Sequence, residues 1–159
     1  AVMYVEKTKT WKDNWNDIIR YVFFPDEKLL SLMCVPNDTP ITKFIEKYFI
    51  EDAVSSELLT DEKVRIIYYD SDGSDTGNKD VLNRYKEFDI FVKDDVLHTA
   101  TKDRLQNRYD LICERLKYLL LHEPVVCNMR FRFGNSYNLW TKTAGYKRYH
   151  VVFSYKTTV

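Results

Sequence analysis

The most compact group of residues with the chemical character of a site is the acidic stretch from Asp70 to Asp80. It carries carboxylates at positions 70, 72, 75 and 80, a density of hard oxygen ligands that suits Ca²⁺. The spacing departs from the EF-hand template, because the first glycine falls at the fourth position and Val81 stands where the bidentate glutamate belongs. The stretch therefore predicts a solvated acidic loop, with a weak cation site as the alternative.

A second group has the residue types of a metal-dependent nuclease. Asp26 follows a proline, and Asp61, Glu62 and Lys63 are consecutive much later in the chain. In such enzymes two acids hold Mg²⁺ and a lysine positions the attacking water. Because combinations this short recur by chance, and because Asp26 has a structural explanation as a helix cap, the nuclease stays a minor alternative.

The histidines lack the pairing that a metal site needs. His98, His122 and His150 are isolated, without an HxH or HxxxH pair, and we expect them at the surface or at helix ends. The sequence also contains no G-x-S-x-G, Walker A or G-x-G-x-x-G motif. The sequence therefore predicts a protein that is not an enzyme and that needs no cofactor and no metal.

The third group is a basic, aromatic segment near the C-terminus. Its cations and rings are Arg130, Phe131, Arg132, Phe133, Tyr137, Trp140, Lys142, Tyr146, Lys147, Arg148 and Tyr149. Such interleaving is typical of a platform for single-stranded nucleic acid, because bases stack on rings while cations hold phosphates. In an alternating strand, Phe131 and Phe133 would instead point into the core. A single-stranded nucleic-acid-binding protein is therefore the alternative function.

The elements that would position these groups begin with helices. Apolar residues from Trp11 to Phe23 follow helical spacing, and Pro25 ends that helix. Asp26 is predicted to cap a short second helix, and Thr39-Pro40 to begin a third. Residues 1–55 are therefore predicted to form a helical N-terminal region.

Residues 60–159 predict a sheet and one long helix. The predicted strands are Val64 to Tyr69, Tyr85 to Lys93, Val125 to Phe133 and Tyr149 to Val159. The long amphipathic helix is predicted over Lys102 to His122, with Thr101 as its cap. A turn is predicted at Gly134 to Ser136 and an extended loop over Tyr137 to Arg148. This order predicts one domain over residues 1–159 with an α+β fold, in which the long helix packs on a mainly antiparallel sheet.

Composition favours an ordered protein of a reducing compartment. The three cysteines show no CxxC spacing, so we expect free thiols. Ala1 to Thr10 lack the apolar run of a signal peptide, and no segment approaches the eighteen apolar residues that would cross a membrane. We therefore expect a protein that is cytosolic, or assembled in a cytosol, without a membrane partner.

The charged residues are divided by position. Residues 51–103 carry fourteen Asp and Glu against seven Lys and Arg, whereas residues 104–159 carry three against ten. These stretches would neutralise each other if they packed together within one subunit, or neutralise a second copy if they faced outward on opposite sides. The outward arrangement joins subunits head to tail in a ring, and we take it as the hypothesis.

Three blocks, in order, carry a family resemblance across residues 60–159. They are Phe88 to Lys93, the helical block that contains Asp103 to Leu105 and Asp110 to Leu116, and the final strand Tyr149 to Val159. Their order resembles the tail-terminator and neck proteins of tailed bacteriophages. The resemblance implies an α/β protein without enzymatic activity that forms a ring, commonly a hexamer. The ring would terminate the tail tube and join it to the head connector, while DNA passes through the channel without sequence-specific binding.

On this hypothesis the charged residues form two interfaces. The acidic side consists of Asp70, Asp72, Asp75, Asp94 and Asp95. The basic side consists of Arg130, Arg132, Lys142, Lys147 and Arg148. An acidic channel would let DNA slide, because dense Lys and Arg would hold its phosphates. The implied partners are further copies of this chain, the tail-tube protein and the head-connector proteins, in a virion assembled in the host cytoplasm.

Overall fold

A five-stranded sheet organises the residues that the computed structural model describes, which are 11–51, 62–75, 81–101 and 104–158. Its strands are β1 Phe49–Glu51, β2 Val64–Asp75, β3 Val81–Lys93, β6 Arg132–Leu139 and β7 Tyr146–Thr158. They lie in the order β1-β2-β3-β7-β6, and all neighbours are antiparallel except β1 and β2. Two short strands, β4 His98–Thr101 and β5 Arg104–Asn107, form a separate hairpin.

The helices of the described chain are α1 Trp11–Ile18, α2 Glu27–Leu32, α3 Ile41–Lys43 and α4 Arg108–Leu121. A π-helical turn continues α1 over Ile19–Phe23, and another continues α3 over Phe44–Tyr48. The predicted α+β fold, with a mainly antiparallel sheet and N-terminal helices, is confirmed. No helix within the described ranges has the length and apolar composition needed to cross a membrane.

Helices α1, α2 and α4 and the π-helical turns that follow α1 and α3 form one hydrophobic layer on a single face of the sheet. Alternation along the strands sends every second side chain to that face, where Phe88, Val151 and Phe153 are fully buried. The helices contribute apolar residues such as Phe23 and Leu116 to the same core. Each buried side chain of this size stabilises the fold by about 1.5–3 kcal/mol, so this layer holds the sheet and helices together.

Lys86 is a charged residue inside this core. It is fully buried, and its Nζ donates a hydrogen bond to Asp70 Oδ1 at 2.9 Å. The same Nζ lies 4.2 Å from the Trp15 ring centroid and 5.2 Å from that of Tyr155. Burial lowers the pKa of Lys86, and the nearby Asp70 carboxylate partly offsets this effect. Asp70 is therefore held within the subunit as the counter-ion of a buried lysine.

Asp26 joins the second helix to the long helix. Its carboxylate accepts a hydrogen bond from the Leu29 backbone N–H at 2.9 Å, which confirms the predicted helix cap. It also accepts two hydrogen bonds from Arg115 of α4, at 2.6 and 2.8 Å. These bonds from Arg115 hold the pKa of Asp26 below its usual value. One side chain thus fixes both the start of α2 and its position on α4.

The predicted acidic loop is shorter than expected. β2 continues to Asp75 and β3 begins at Val81, so the stretch from residue 70 to residue 75 belongs to a strand. Residues 76–80, including Asp80, lie outside the described residues. Pairing with β3 satisfies the backbone of this polar stretch, and a register shift between Ser71 and Ser74 accommodates it. Tertiary pairing therefore outweighs the turn preference of the residue types.

The long helix begins later than predicted. It starts at Arg108, with Asn107 as the flanking residue, whereas Thr101 lies in β4 and does not cap it. Residues 104–107 form β5, and Leu105, which lies within the predicted helix, is 71% exposed. Farther along, Ile112, Leu116 and Leu120 are buried, as expected for the apolar face of an amphipathic helix. Helical periodicity predicted residues 104–107 in the first turns of the long helix, but they pair with β4 instead.

The C-terminal hairpin also differs from the prediction. The strand predicted over Val125 to Phe133 is wrong for residues 125–131, which hold only an isolated bridge between Val126 and Met129. β6 lies instead at Arg132–Leu139, and the predicted turn at Gly134 lies inside it. A Cβ at Gly134 would lie 3.0 Å from the Val152 carbonyl oxygen, so glycine is needed there for a close approach at a bulge. The extended loop predicted to end at Arg148 reduces to residues 140–145, because β7 already begins at Tyr146.

We predict that Asp26→Ala lowers the free energy of unfolding by about 2 kcal/mol, because it removes both the cap and the ion pair. Asp26→Asn is the matched control, since its amide oxygen keeps the cap while the charge is lost, and it should lose about 1 kcal/mol. Urea unfolding followed by circular dichroism measures both. An Asp26→Ala protein as stable as the parent would contradict both assignments.

Candidate functional site

A charged cluster occupies the face of the sheet opposite the helical layer. β3 and β7 pair so that Asp89 lies opposite His150 and Phe91 lies opposite Arg148. Glu87, two residues before Asp89, projects to the same face because side chains alternate along a strand. The sheet register therefore brings two acids of the acidic stretch against two cations of the basic stretch.

Both imidazole nitrogens of His150 contact carboxylates. Nδ1 lies 2.6 Å from Asp89 Oδ1, and Nε2 lies 2.9 Å from Glu87 Oε1. Arg148 Nη2 donates to the other oxygen of Asp89, Oδ2, at 2.8 Å. Asp89 is thus shared between a guanidinium and an imidazole, which makes it the centre of the cluster.

Burial and neighbouring charges act in opposite directions on the protonation of this cluster. His150 is 4% exposed and Asp89 is 4% exposed. Burial lowers the pKa of His150, but the hydrogen bonds and charges of Asp89 and Glu87 outweigh it, so the pKa is raised. Burial raises the pKa of Asp89, but His150 and Arg148 outweigh it, so the pKa is lowered. His150 is therefore stabilised as an imidazolium between ionised carboxylates.

Aromatic side chains surround the imidazole. The Tyr137 ring centroid lies 5.2 Å from that of His150, and the Tyr69 ring centroid lies 6.2 Å from it. The Tyr69 hydroxyl is 3.4 Å from His150 Nδ1. The guanidinium of Arg148 lies 5.7 Å from the Phe91 ring centroid. These contacts limit the access of water, which strengthens the ion pairs.

The geometry of His150 suits a structural role, in which this residue helps to hold β3 and β7 together, better than it suits acid–base catalysis. A histidine that acts as a general base needs one nitrogen within reach of the proton that it abstracts. Both nitrogens of His150 are already within hydrogen-bond distance of carboxylates. The cluster can instead couple the association of β3 and β7 to pH, because its interactions depend on the imidazolium charge.

The expectation for the histidines was wrong at one position of three. His98 and His122 are exposed, as predicted, whereas His150 is buried. A signal for this cluster was present in the sequence, because Glu87 and Asp89, like Arg148 and His150, are separated by the strand period of two. Pairing β3 with β7 in the correct register was needed to use that signal.

The predicted acidic residues do not share one surface. Asp70 is half-buried in its ion pair with Lys86, whereas Asp94 and Asp95 are exposed in a 3₁₀ turn that follows β3. The backbone of Asp72 and Asp75 lies in β2. Asp94 and Asp95 are therefore the members of the acidic side whose carboxylates the structure shows at the surface.

The predicted basic residues divide between the two ends of the sheet. Exposed Arg130 and Arg132 lie where β6 begins, since Arg132 pairs with Ser154. Exposed Lys147 lies at the other end, beside half-buried Arg148. Lys142 is exposed in the connection between β6 and β7. The 2.8 Å hydrogen bond from Asp94 N to Gly145 O places the acidic turn at this second end as well.

The acidic and basic stretches therefore neutralise each other in part within one subunit. The contacts of Asp89 with Arg148 and His150 represent the first of the two arrangements that the charge division allowed. Exposed charges remain for the outward arrangement as well. Asp94 and Asp95 lie at one end of the sheet, and Arg130 and Arg132 lie at the other.

The edge strand β6 displays aromatic side chains. Phe133 is 36% exposed and Tyr137 is 43% exposed, and Trp140 directly after the strand is 76% exposed. Phe131 is 8% exposed, as predicted for a core residue, whereas Phe133 is covered only in part, by Lys117 at 4.0 Å and by Phe153. Rings and backbone groups are thus available along this edge.

The structure describes only part of the residue pattern that suggested a metal-dependent nuclease. Asp26 is engaged by Leu29 and Arg115, and Asp61 lies outside the described residues. Within the described ranges, no group of three or more His, Cys, Asp or Glu side chains is arranged to hold a metal ion.

Comparison with known proteins gives one family. The model of the YomW family matches residues 16–155, which include every helix and strand of the described fold except the first five residues of α1 and the last three of β7. The name of this family fits a phage-related protein. A search of the curated proteins found no match.

We predict that the cluster makes stability depend on pH above about 6.5, the pKa of an unperturbed histidine. Because the folded-state pKa of His150 is raised, its stabilising contribution is complete below the unfolded value of about 6.5 and is lost as the pH rises through the folded value. The lowered pKa of Asp89 acts at the acid end, where stability is lost as the pH falls through the folded value of that group.

Urea unfolding of the parent protein and of His150→Gln between pH 6 and pH 9 measures this dependence. At pH 6 the variant should lose about 3 kcal/mol, because Glu87 loses its cationic partner and the buried Asp89 keeps only Arg148. The difference between the two proteins should shrink as the pH rises. A difference that stays constant over this range would show that the charge of His150 contributes nothing.

Proposed function

Since the chain belongs to the YomW family, whose name fits a phage-related protein, we propose that it is a non-enzymatic structural protein of a phage virion. In this proposal it forms a ring, commonly of six subunits, that terminates the tail tube and joins it to the head connector. The virion is then its location after assembly in the host cytoplasm. The tail-tube protein and the head-connector proteins are its partners, and DNA passes through the channel.

The observation that carries the proposal is the exposed edge of β6. An eight-residue edge strand offers a row of backbone donors and acceptors, to which a strand of another chain can pair. Trp140, 76% exposed, and Tyr137 add apolar area beside this edge. Aromatic residues of this kind are enriched at protein interfaces, so the edge suits a neighbouring subunit better than water.

The placement of exposed charges supports a contact that repeats head to tail. Arg130 and Arg132 lie at the end of the sheet where β6 begins, and Asp94 and Asp95 lie at the opposite end. The basic end of one copy can therefore meet the acidic end of the next. Such a contact uses two different surfaces, and repetition of it closes a ring when the rotation between copies permits.

We predict that charge reversal on either side breaks the ring and that reversal on both sides restores it. The parent protein should give a closed multiple of the 19.1 kDa chain in native mass spectrometry. Asp94→Lys with Asp95→Lys should give monomers, and so should Arg130→Glu with Arg132→Glu, because like charges then face each other. A protein with all four reversals should assemble again.

Lys43→Glu with Lys47→Glu is the control, since both residues are exposed and neither belongs to the two proposed surfaces. This variant should assemble like the parent. A parent protein that remains monomeric, both alone and when mixed with the tail-tube protein, would refute the ring.

A further inference from the structure

A cavity of about 810 Å³ lies at the end of the sheet where β6 begins. Its walls come from the first half of β3, from the segment between α4 and β6, and from the last part of β7. The pairs of β6 with β7 begin at Arg132 and Ser154, so β7 extends beyond its edge neighbour at this point. The cavity occupies the space beside that extension.

The lining of this cavity has an excess of positive charge. It includes Arg130, Arg132 and Lys156, which are exposed and form no ion pair with a described residue. None of the described lining residues carries a carboxylate. Elsewhere in the described chain, Lys86 and Arg115 are each matched with an acid. An unmatched group of three cations at a concave surface attracts an anion of several charges.

Aromatic groups form the other part of the lining. Phe131 and Tyr155 are 8% and 2% exposed, and their ring centroids lie 5.6 Å apart. Tyr85, from β3, is half-buried in the same lining. Burial raises the pKa of Tyr155 to about 12, so this wall stays uncharged at neutral pH. The Tyr155 hydroxyl is buried and makes no hydrogen bond to any described residue.

We propose that this cavity binds a nucleotide, with its phosphate groups held by Arg130, Arg132 and Lys156 and its base against the half-buried ring of Tyr85. Guanidinium groups bind phosphate oxygens through paired hydrogen bonds, and bases stack on aromatic rings. The volume lies within the range of small-molecule sites. The nucleotide is either free or part of a single strand, since both present the same phosphate and base. Every lining residue belongs to one subunit, but Arg130 and Arg132 also form the basic end of the proposed ring contact, so a nucleotide and a neighbouring copy would compete for them.

Isothermal titration of the parent protein with ADP and with a short oligothymidylate tests the site. Arg132→Gln with Lys156→Gln should weaken binding by about tenfold or more, because two phosphate contacts are removed. The matched control is Lys142→Gln with Lys147→Gln, which removes the same number of exposed cations away from the cavity. The control should bind within about twofold of the parent. Circular dichroism checks that both variants are folded, as expected for exposed side chains.

The two probes separate the sources of the ligand. Binding of ADP identifies a free nucleotide, and binding of the oligothymidylate alone identifies a nucleotide within a strand. The proposal is overturned if neither probe binds the parent, if the cavity variant binds like the parent, or if the control loses as much affinity as the cavity variant. The last result would show attraction to positive charge in general.

Discussion

The pairing of β3 with β7 is the constraint on which the rest of the structure depends. Thirteen residues of each strand are in register, from Val81 opposite Thr158 to Lys93 opposite Tyr146. Because side chains alternate, this one register sends Phe88 and Val151 under the helices and brings Asp89 to His150 on the other face. A slip of one residue would exchange the two faces and place the charged cluster in the apolar core.

Charge has two different tasks in this subunit. Buried charges are matched inside it, as Lys86 is by Asp70 and Asp89 is by His150 and Arg148, since an unmatched buried charge is strongly destabilising. Exposed charges lie at the ends of the sheet, where water solvates them and they do not destabilise the fold. The division into acidic and basic stretches along the chain therefore reflects both the internal pairing of neighbouring strands and the surfaces available to other molecules.

The interaction surfaces that we propose lie where regular structure ends. β6 is an edge strand, so its outer backbone groups and the rings of Tyr137 and Trp140 face outward. The cavity lies where β7 extends past β6. These places combine unpaired polar groups with exposed apolar area, and both features favour contact with a partner or ligand over contact with water alone.

The sequence by itself determined the α+β class, the cap at Asp26 and the N-terminal helices, because these follow from local spacing and capping chemistry. Only the tertiary structure decided that residues 70–75 and 104–107 form strands, since a neighbouring strand supplied their hydrogen bonds. The charged cluster around His150 was likewise decided by the tertiary structure. The residue types of Asp89 and His150 are visible in the chain, but they are 61 positions apart, and only the register of two paired strands places them 2.6 Å from each other.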